Sequence, residues 1–227
     1  MIKIGLSGST GRMGQVFEKL ILESEKFSLS NVYSKNSALE SWVPEDIDVV
    51  VDFSLPEALK KVCKWCNMHK KPLITGTTGF EDIKDVVDVT SLKMAVVHSG
   101  NYSLGIASLI QSLKSYKVFS HGARIWIEDY HHQNKKDSPS GTALKISDAL
   151  KAFKDTTIKI NDVRAGSIFG IHKVHMATNE EWITLTHRAL NRKVFAKGAL
   201  ELASWIKEKT SGLYTLEDFL NDEVNKD

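Results

Sequence analysis

The sequence predicts an α/β protein: a parallel sheet covered by helices on both faces, followed by an α+β part with a mixed sheet. Three observations support this fold class. Strand and helix patterns alternate along residues 1–101. Residues 47–53, I-D-V-V-V-D-F, form a nearly continuous apolar run, which is typical of a parallel strand buried on both faces. Beyond residue 101 the strand candidates become amphipathic, as expected for a sheet with one face on a core.

The elements of the first part follow from short apolar runs and the residues that interrupt them. Strands are expected at residues 2–6, 27–33, 47–53, 72–74 and 94–97, and helices at 13–25 and 56–69. In the first helix, Phe17, Leu20 and Ile21 recur at helical spacing on one side. Pro56 begins the second helix, because proline is favoured in a first helical turn.

The second part contains helices before and among its strands. Helices are expected at residues 103–114 and 140–153, and strands at 124–129, 173–177 and 181–186. A last helix at 193–207 precedes Gly212-Leu213-Tyr214 and a short tail helix. We therefore predict two domains, one formed by residues 1–101 and completed by 188–227, the other by residues 102–187.

Composition restricts the classes of function. Hydrophobic residues make up 42% and charged residues 26% of the 227 residues, which is ordinary for a globular protein. The 30 basic and 28 acidic residues leave a net charge of +2 without a basic tail, so nucleic acid is not an expected partner. The first residues begin a strand and not an apolar signal segment, and no apolar run is long enough to cross a membrane. We expect no membrane partner and a cytoplasmic protein that binds small molecules.

Cys63 and Cys66 form a C-x-x-C pair with His69 nearby, a spacing found in redox and metal sites. In the helix expected at 56–69, however, both cysteines lie on one apolar stripe with Leu59. We interpret them as buried core thiols of a protein in a reducing compartment, and we expect no metal site.

A glycine-rich turn, Gly8-Ser9-Thr10-Gly11-Arg12-Met13-Gly14, lies between the first strand and the first helix. Glycines permit a tight turn there, and the N-terminus of the following helix offers backbone N–H groups to a pyrophosphate. The pattern predicts a Rossmann-like, dinucleotide-binding domain. The candidate cofactor-binding residues of this turn are Gly8, Thr10, Gly11, Arg12 and Met13.

Three more polar loops follow the third, fourth and fifth expected strands. They are Asp52-Phe53-Ser54, Gly76-Thr77-Thr78-Gly79 and Ser99-Gly100-Asn101-Tyr102. Ligands of open parallel sheets bind at the edge where the strands end, so we predict that these loops complete the cofactor site. The candidate cofactor-binding residues of these loops are Phe53, Gly76, Thr78, Asn101 and Tyr102.

The end of the second strand bears on the choice of cofactor. An acidic residue there would accept hydrogen bonds from the ribose hydroxyls of NAD, but this chain has Tyr33-Ser34-Lys35. Lys35, helped by Arg12, can pair with the 2′-phosphate of NADP. We therefore predict a preference for NADPH, with NADH still usable.

Residues 129–143, D-Y-H-H-Q-N-K-K-D-S-P-S-G-T-A, contain little that builds a core. They supply histidines as proton donors, lysines as fixed positive charges, and a Pro-Ser-Gly-Thr helix start with backbone N–H groups. Such a set is suited to bind an anionic small molecule and to protonate it. The plain alternative is a solvated surface loop followed by a well-capped helix.

With these motifs, the chain resembles the 4-hydroxy-tetrahydrodipicolinate reductase family, also called dihydrodipicolinate reductases, over nearly its whole length. The matching motifs are G-S-T-G-R-M-G at 8–14, D-F-S at 52–54, G-T-T-G at 76–79, H-H-x-x-K-x-D-x-P-S-G-T-A at 131–143, R-A-G at 164–166 with G-x-H at 170–172, and H-R-A at 187–189 with F-A-x-G-A at 195–199.

The resemblance implies an enzyme of lysine and diaminopimelate biosynthesis that reduces a cyclic dicarboxylate, 4-hydroxy-tetrahydrodipicolinate, with NADH or NADPH. It implies that His131 is the proton donor and that Lys135 pairs with the substrate and positions it. Further substrate-binding residues implied by the motif are His132, Ser140, Gly141 and Thr142. It also implies that the domain of residues 102–187 binds substrate and joins subunits into a homotetramer.

The chain departs from the family pattern immediately before His131. Asp129 stands where a glutamate is expected, so an acid is retained with a shorter reach. Tyr130 replaces a small residue. Both changes put the geometry around His131 in question.

Three alternatives stay open on the residues alone. One is another Rossmann dehydrogenase, although Tyr130 and Lys135 are one residue too far apart for the Y-x-x-x-K of the short-chain type. Another is a non-catalytic dinucleotide sensor, which would bind cofactor without consuming it. The third is a zinc enzyme that uses His131, His132 and His172 as ligands, which metal analysis tests.

Overall fold

A computed structural model describes residues 1–35, 37–151 and 158–225 of the chain. The chain divides into two compact units: unit 1 comprises Met1–Ser103 and Lys193–Asp227, and unit 2 comprises Leu104–Arg192. Within the described ranges, no helix has both the length and the apolar character needed to cross a membrane. The roles expected for the two parts, dinucleotide binding and substrate binding, stay predictions.

Both units contain strands and helices. The strands are β1 (Ile2–Ser7), β2 (Phe27–Tyr33), β3 (Val49–Asp52), β4 (Leu73–Thr75), β5 (Ala95–His98), β6 (Arg124–His131), β7 (Lys159–Arg164), β8 (Ile171–Ala177), β9 (Trp182–Arg188) and β10 (Gly212–Tyr214). The helices are α1 (Arg12–Leu22), α2 (Pro56–His69), α3 (Leu104–Ser112), α4 (Lys117–Ser120), α5 (Gly141–Lys151), α6 (Lys193–Lys207) and α7 (Leu216–Val224).

Unit 1 contains a parallel sheet with the strand order β10-β5-β4-β3-β1-β2. Val49, Val50 and Val51 of β3 are fully buried, as expected for a strand covered on both faces. Helix α2 packs against β3 and β4, while α6 packs against α1 and strands β3 to β5. The predicted Rossmann-like fold of this part is confirmed, and its carboxyl strand ends share one edge.

The two cysteines lie in the core of unit 1, on the side covered by α2. Cys63 and Cys66 are free thiols, buried in one cluster with Leu59, Val50 and Leu73. Burial raises the pKa of the Cys63 thiol to about 11 and that of Cys66 well above its ordinary value. The interpretation as core thiols is confirmed.

Unit 2 contains a mixed sheet with the strand order β7-β6-β8-β9. Strands β6 and β7 are parallel, whereas the β6/β8 and β8/β9 pairs are antiparallel. Helices α3 and α5 pack on one face of this sheet around Ile127, Ile146 and Val174. The predicted α+β class of this part is confirmed.

Both units differ in places from the expected elements. In unit 1 the helix expected at 13–25 ends at Leu22, the strand expected at 47–53 is Val49–Asp52, and Gly212–Tyr214 forms a strand that was not predicted. The remaining differences lie in unit 2. Strand β7 was not expected, because its sequence K-I-N-D-V-R lies mostly exposed at the sheet edge and shows little apolar alternation. The helix expected at 103–114 ends at Ser112 and continues as a short 3₁₀ helix, Leu113–Tyr116, and α4. The helix expected at 140–153 is described to Lys151, and its expected end at Phe153 lies outside the described residues.

Candidate cofactor site and candidate active site

The turn between β1 and α1 is built around glycines that leave no room for side chains. Gly8 has a φ of 82°, and a Cβ atom on Gly14 would lie 2.1 Å from the Gly8 carbonyl oxygen. Gly11 is the N-cap of α1 and makes no side-chain hydrogen bond to the first turn. The start of α1 therefore presents backbone N–H groups without a side-chain cap, which is the arrangement that binds phosphate groups.

The end of β2 lies beside this turn. The Gly8 N–H group donates to the Tyr33 carbonyl oxygen at 2.9 Å, and Ser7 pairs in register with Tyr33. Lys35 is exposed in the turn that follows β2, and Arg12 is exposed at the start of α1. One positive side chain thus follows β2 and another begins α1, and the sequence predicts that both bind a 2′-phosphate.

A buried carboxylate organises the loops after β3 and β4. Asp52 is 0% exposed, and its carboxylate accepts hydrogen bonds from the hydroxyls of Ser54 at 2.5 Å, Thr75 at 2.9 Å and Thr77 at 2.6 Å. The Thr77 hydroxyl also accepts from the Ser54 N–H group, and the Thr75 hydroxyl accepts from the Thr77 N–H group. One carboxylate therefore holds two loops of the predicted cofactor site together.

Aromatic rings pack behind these loops. The Phe53 ring lies against Gly76, where a Cβ atom would be 2.1 Å from the ring. Its centre is 4.7 Å from the Phe17 ring and 5.8 Å from the Tyr102 ring. The position of Phe53 thus depends on a glycine at residue 76.

The remaining predicted cofactor residues differ in exposure. Tyr102 is buried, and its hydroxyl lies within hydrogen-bond distance of the carbonyl oxygens of Thr75 and Val97, so its side chain supports the strand ends from inside. Asn101 accepts from the Ser103 N–H group through its side-chain oxygen. Thr78 is exposed, as are Thr10 and Gly11, while Gly8 and Met13 are half-buried.

In unit 2, Asp129 lies at the centre of a polar cluster. Alternation along β6 directs Asp129 and His131 to the same face, and both are buried. The Asp129 Oδ1 atom lies 2.9 Å from His131 Nδ1 and 3.3 Å from His172 Nε2. The His131 contact is short but is not aligned as a hydrogen bond, since Nδ1 finds no aligned acceptor among the described residues. The contact is therefore primarily electrostatic.

Two further residues complete the cluster from neighbouring elements. The Ser140 N–H group and hydroxyl donate to Asp129 Oδ2 and Oδ1 at 2.8 and 2.9 Å. The Arg164 guanidinium donates to Asp129 Oδ2 at 3.1 Å and to its carbonyl oxygen at 3.2 Å. We call Asp129, His131, Ser140, Arg164 and His172 the Asp129 cluster. Burial alone would raise the pKa of the Asp129 carboxyl, but the contacts with the two histidines and Ser140 hold it far below its usual range.

Two of the predicted site residues, Lys135 and Gly141, interact with a second carboxylate, that of Asp137. The Lys135 Nζ atom lies 2.9 Å from Asp137 Oδ1, and the Gly141 N–H group interacts with the same carboxylate. Burial raises the pKa of Asp137, but Lys135 and the Gly141 N–H group outweigh it and lower that pKa. Lys135 and the helix start thus bind a carboxylate within the protein itself.

Ser140 differs from the other predicted substrate-binding residues. It is buried, its N–H group and hydroxyl donate to Asp129, and its hydroxyl oxygen accepts from the Ala143 N–H group. Gly141 is exposed, and Thr142 and His132 are half-buried. Ser140 is therefore used inside the protein, whereas Gly141 lies at the surface.

Tyr130 does not enter the Asp129 cluster. Its hydroxyl donates to Glu128 Oε2 at 2.8 Å, and Lys173 Nζ lies 5.2 Å from its ring centre. These contacts are on the face of β6 opposite Asp129, as strand alternation requires. The Tyr130 side chain therefore points away from His131.

Asp129, His131 and His172 offer ligand atoms within 4.8 Å of one another, a group that could hold a metal ion. The zinc alternative names His131, His132 and His172 as ligands, whereas this group contains Asp129 and not His132. The Asp129 carboxylate is already engaged by Ser140 and by the positively charged Arg164. A metal ion would have to displace these donors. The contacts therefore favour proton transfer over metal binding at the Asp129 cluster.

The sequence assigns no role to Arg164, and to His172 only that of a zinc ligand in one alternative. Strand pairing brings both into the cluster: Arg164 lies opposite His131 on β7, and His172 lies opposite Asp129 on β8. The sequence signal that could have identified them is that each is the charged or titratable residue of a matched motif, R-A-G for Arg164 and G-x-H for His172. Their meeting point depends on strand register, which the motifs do not contain.

Comparisons with known proteins agree across both units. The family description "Dihydrodipicolinate reductase, N-terminus" matches residues 2–102, and "Dihydrodipicolinate reductase, C-terminus" matches residues 105–220. The 4-hydroxy-tetrahydrodipicolinate reductase of Bdellovibrio bacteriovorus is 39% identical over 221 residues, covering 96% of each protein. That of Helicobacter hepaticus is 34% identical over 255 residues, covering 97% of this chain and 99% of the relative.

A solved structure shares the fold. Dihydrodipicolinate reductase from Paenisporosarcina sp. TG-14, with bound dipicolinate, superimposes with a TM-score of 0.78 at 21% identity, covering 96% of this chain and 99% of that chain. The family descriptions together match nearly all of the sequence, and the relatives exceed 30% identity over nearly their full length. The chain therefore belongs to the dihydrodipicolinate reductase family.

Proposed function

We propose that the protein is an NAD(P)H-dependent oxidoreductase that reduces 4-hydroxy-tetrahydrodipicolinate to tetrahydrodipicolinate in lysine and diaminopimelate biosynthesis. Family membership supports this activity, since the relatives bear the name of that reaction. The observation that carries it is the Asp129 cluster, in which a buried carboxylate contacts His131. Lys135 and the start of α5 follow His131 in the same segment of the chain. Unit 1 binds the dinucleotide and unit 2 binds the substrate.

The residues of unit 1 fit a dinucleotide. The uncapped start of α1 is suited to the pyrophosphate, and the loops held by Asp52 are suited to the remainder of the cofactor. Lys35 and Arg12 supply positive charge for a 2′-phosphate, so NADPH is the preferred cofactor and NADH is also used. When bound, the reduced nicotinamide supplies the hydride.

His131 supplies the proton. Its Nδ1 atom is buried beside Asp129, which leaves Nε2 as the ring nitrogen that can reach a substrate. A carboxylate beside Nδ1 orients the ring, with Nε2 turned away from it. The protonated ring donates to the atom of the substrate that takes up negative charge.

Lys135 and the start of α5 bind the substrate through its carboxylates. Their shared contact with the Asp137 carboxylate supports this role, because it shows that they bind a carboxylate group. Gly141, Thr142 and His132 belong to this binding site. Ser140 contributes by fixing the start of α5, since its own donors are used by Asp129.

A coupled assay tests the activity. Purified protein is mixed with NADPH and with 4-hydroxy-tetrahydrodipicolinate generated in the assay by the preceding synthase, and loss of reduced nicotinamide is followed. We expect oxidation that depends on the substrate. Cofactor binding without oxidation would support the sensor alternative, and oxidation only with another carbonyl or imine substrate would support a different dehydrogenase.

A homotetramer and a cytoplasmic location are proposed on the family resemblance alone. Sedimentation velocity of the purified protein tests the tetramer, and cell fractionation tests the location. A monomer at assay concentrations would contradict the first proposal.

A further inference from the structure

We propose that Asp129 is a positioning residue that couples the proton donor to the start of the substrate-binding helix. In this proposal one buried carboxylate sets both the orientation of His131 and the position of the first turn of α5. The inference rests on the function proposed above and gives a role to a residue that does not itself touch substrate.

The contacts of Asp129 join four elements of unit 2. Its side chain is 0% exposed and is approached by His131 from β6, His172 from β8, Arg164 from β7 and Ser140 from the start of α5. A buried carboxylate is tolerated only when donors and positive charge surround it. The same contacts fix the groups that make them, so the carboxylate is a common anchor for three strands and one helix start.

The geometry on the histidine side determines which ring nitrogen is available. His131 Nδ1 lies 2.9 Å from Asp129, and a Cβ atom on Gly170 would lie 3.1 Å from His131 Nε2. The glycine therefore keeps a side chain away from Nε2 while Asp129 holds the opposite nitrogen. Rotation of the ring would lose the Asp129 contact, so the carboxylate sets the direction of proton donation.

The geometry on the helix side fixes the binding groups. Ser140 uses both its N–H group and its hydroxyl on Asp129, while its hydroxyl oxygen accepts from the Ala143 N–H group. Gly141 and Thr142 lie between these two anchored residues. A change at Asp129 is therefore transmitted to the first turn of α5 as well as to His131.

The experiment compares Asp129→Asn, Asp129→Glu and Asp148→Asn with the wild type. Asparagine keeps the shape of the side chain and removes its charge, while glutamate restores the charge with the residue expected in the family. Asp148 is an exposed residue of α5 that pairs with Lys151, which makes it a matched control. The measurements are kcat and KM for the substrate, the Kd of NADPH, the Kd of dipicolinate, and the melting temperature.

We expect Asp129→Asn to lower kcat roughly tenfold or more, the scale seen when a group orienting a functional histidine is lost. It should also raise KM and the Kd of dipicolinate severalfold, while the Kd of NADPH stays within twofold because unit 1 is untouched. Asp129→Glu should recover part of both effects, and Asp148→Asn should change neither. A purely structural role would lower stability without this joint change in kcat and KM and without recovery by glutamate.

Several outcomes would overturn the inference. If folded Asp129→Asn changes only kcat, the proposed coupling to the helix is wrong, and if kcat and KM both stay within twofold, the positioning role is wrong. If Asp129→Asn fails to fold, Ser140→Ala decides the matter, since it removes one donor to Asp129 and should raise KM and lower kcat together. A wild type that binds dipicolinate and NADPH but oxidises no NADPH would contradict the proposed function, and the dipicolinate measurements would still test the coupling.

Discussion

Each unit contains a fully buried aspartate near the carboxyl end of a strand, but the two carboxylates have different surroundings. Asp52 in unit 1 accepts hydrogen bonds from three hydroxyl groups. Asp129 in unit 2 is surrounded by an arginine, a serine and two histidines. Both organise loops, but only Asp129 is surrounded by groups that carry or exchange a proton.

The difference shows how similar anchors serve different chemistry. Hydroxyl donors hold Asp52 without bringing another charge, so this carboxylate fixes the shape of the loops that it joins. Asp129 instead contacts two histidine rings, so this carboxylate sets the orientation of groups that can transfer a proton as well as the shape of the site. We therefore expect changes in unit 1 to alter cofactor binding and changes in the Asp129 cluster to alter turnover.

The largest expected effect comes from removing His131, the proposed proton donor. His131→Ala should lower kcat by roughly 100-fold or more, the usual scale for loss of a general acid. The Kd of NADPH should stay unchanged, as measured by quenching of protein fluorescence. His121→Ala, at an exposed histidine, is the matched control and should keep full activity. Unchanged turnover in His131→Ala would remove His131 from the mechanism.

A change at Asp52, the buried carboxylate of unit 1, should affect cofactor binding and not turnover. Asp52→Asn removes the charged acceptor of three hydroxyl groups and should weaken NADPH binding about tenfold, which corresponds to ~1.4 kcal/mol. The KM for the dicarboxylate should stay near the wild-type value in steady-state assays at saturating NADPH. Asp46→Asn, at an exposed carboxylate that pairs with Lys3, is the control. If Asp52→Asn weakens substrate binding and leaves NADPH binding normal, the assignment of Asp52 to cofactor binding is wrong.

A smaller effect should follow from the charge beside the second strand. Lys35→Ala should lower kcat/KM for NADPH about fivefold and leave kcat/KM for NADH unchanged, because an exposed ion pair contributes ~1 kcal/mol. Lys60→Ala, at an exposed position of α2, should change neither value. If the wild type uses NADH as well as or better than NADPH, the predicted preference is wrong.

The smallest effect concerns acid stability. The pKa of Asp129 is depressed in the folded protein, so its charge stabilises the fold above the unfolded-state value of about 3.9 and this contribution is lost as the pH falls. The difference in melting temperature between the wild type and Asp129→Asn should therefore shrink as the pH falls from about 5 towards 3. Circular dichroism melts across this range measure it, with Asp148→Asn as a control. A difference independent of pH would show that the charge does not contribute.

Much of the fold could be predicted because local patterns determine it. The bounds of β2, α2 and α6 coincide with those expected, since each has a continuous pattern. Strand β7 could not be predicted, because an exposed edge strand has little apolar signal and is defined by pairing with β6. Pairing between distant segments is a tertiary property that periodicity does not report.

The candidate site shows the same division. His131 and Lys135 are identified by one continuous motif, but their partners come from separate strands. Arg164 and His172 meet Asp129 through the register of β7 and β8. The orientation of Tyr130, in contrast, could have been inferred, because alternate residues of a strand face opposite sides.

The cysteines of α2 allow the opening of unit 1 to be measured separately from that of unit 2. The chain has 2 cysteines, and both are buried in unit 1. Alkylating reagents attack the thiolate, which is scarce when burial raises the pKa of Cys63 to about 11, and the thiols themselves are enclosed. Modification should therefore proceed through molecules in which unit 1 has opened, and its rate reports how often that opening occurs. Under the proposed binding of NADPH to unit 1, the cofactor should slow this labelling by mass action, which gives a binding measurement that requires no turnover.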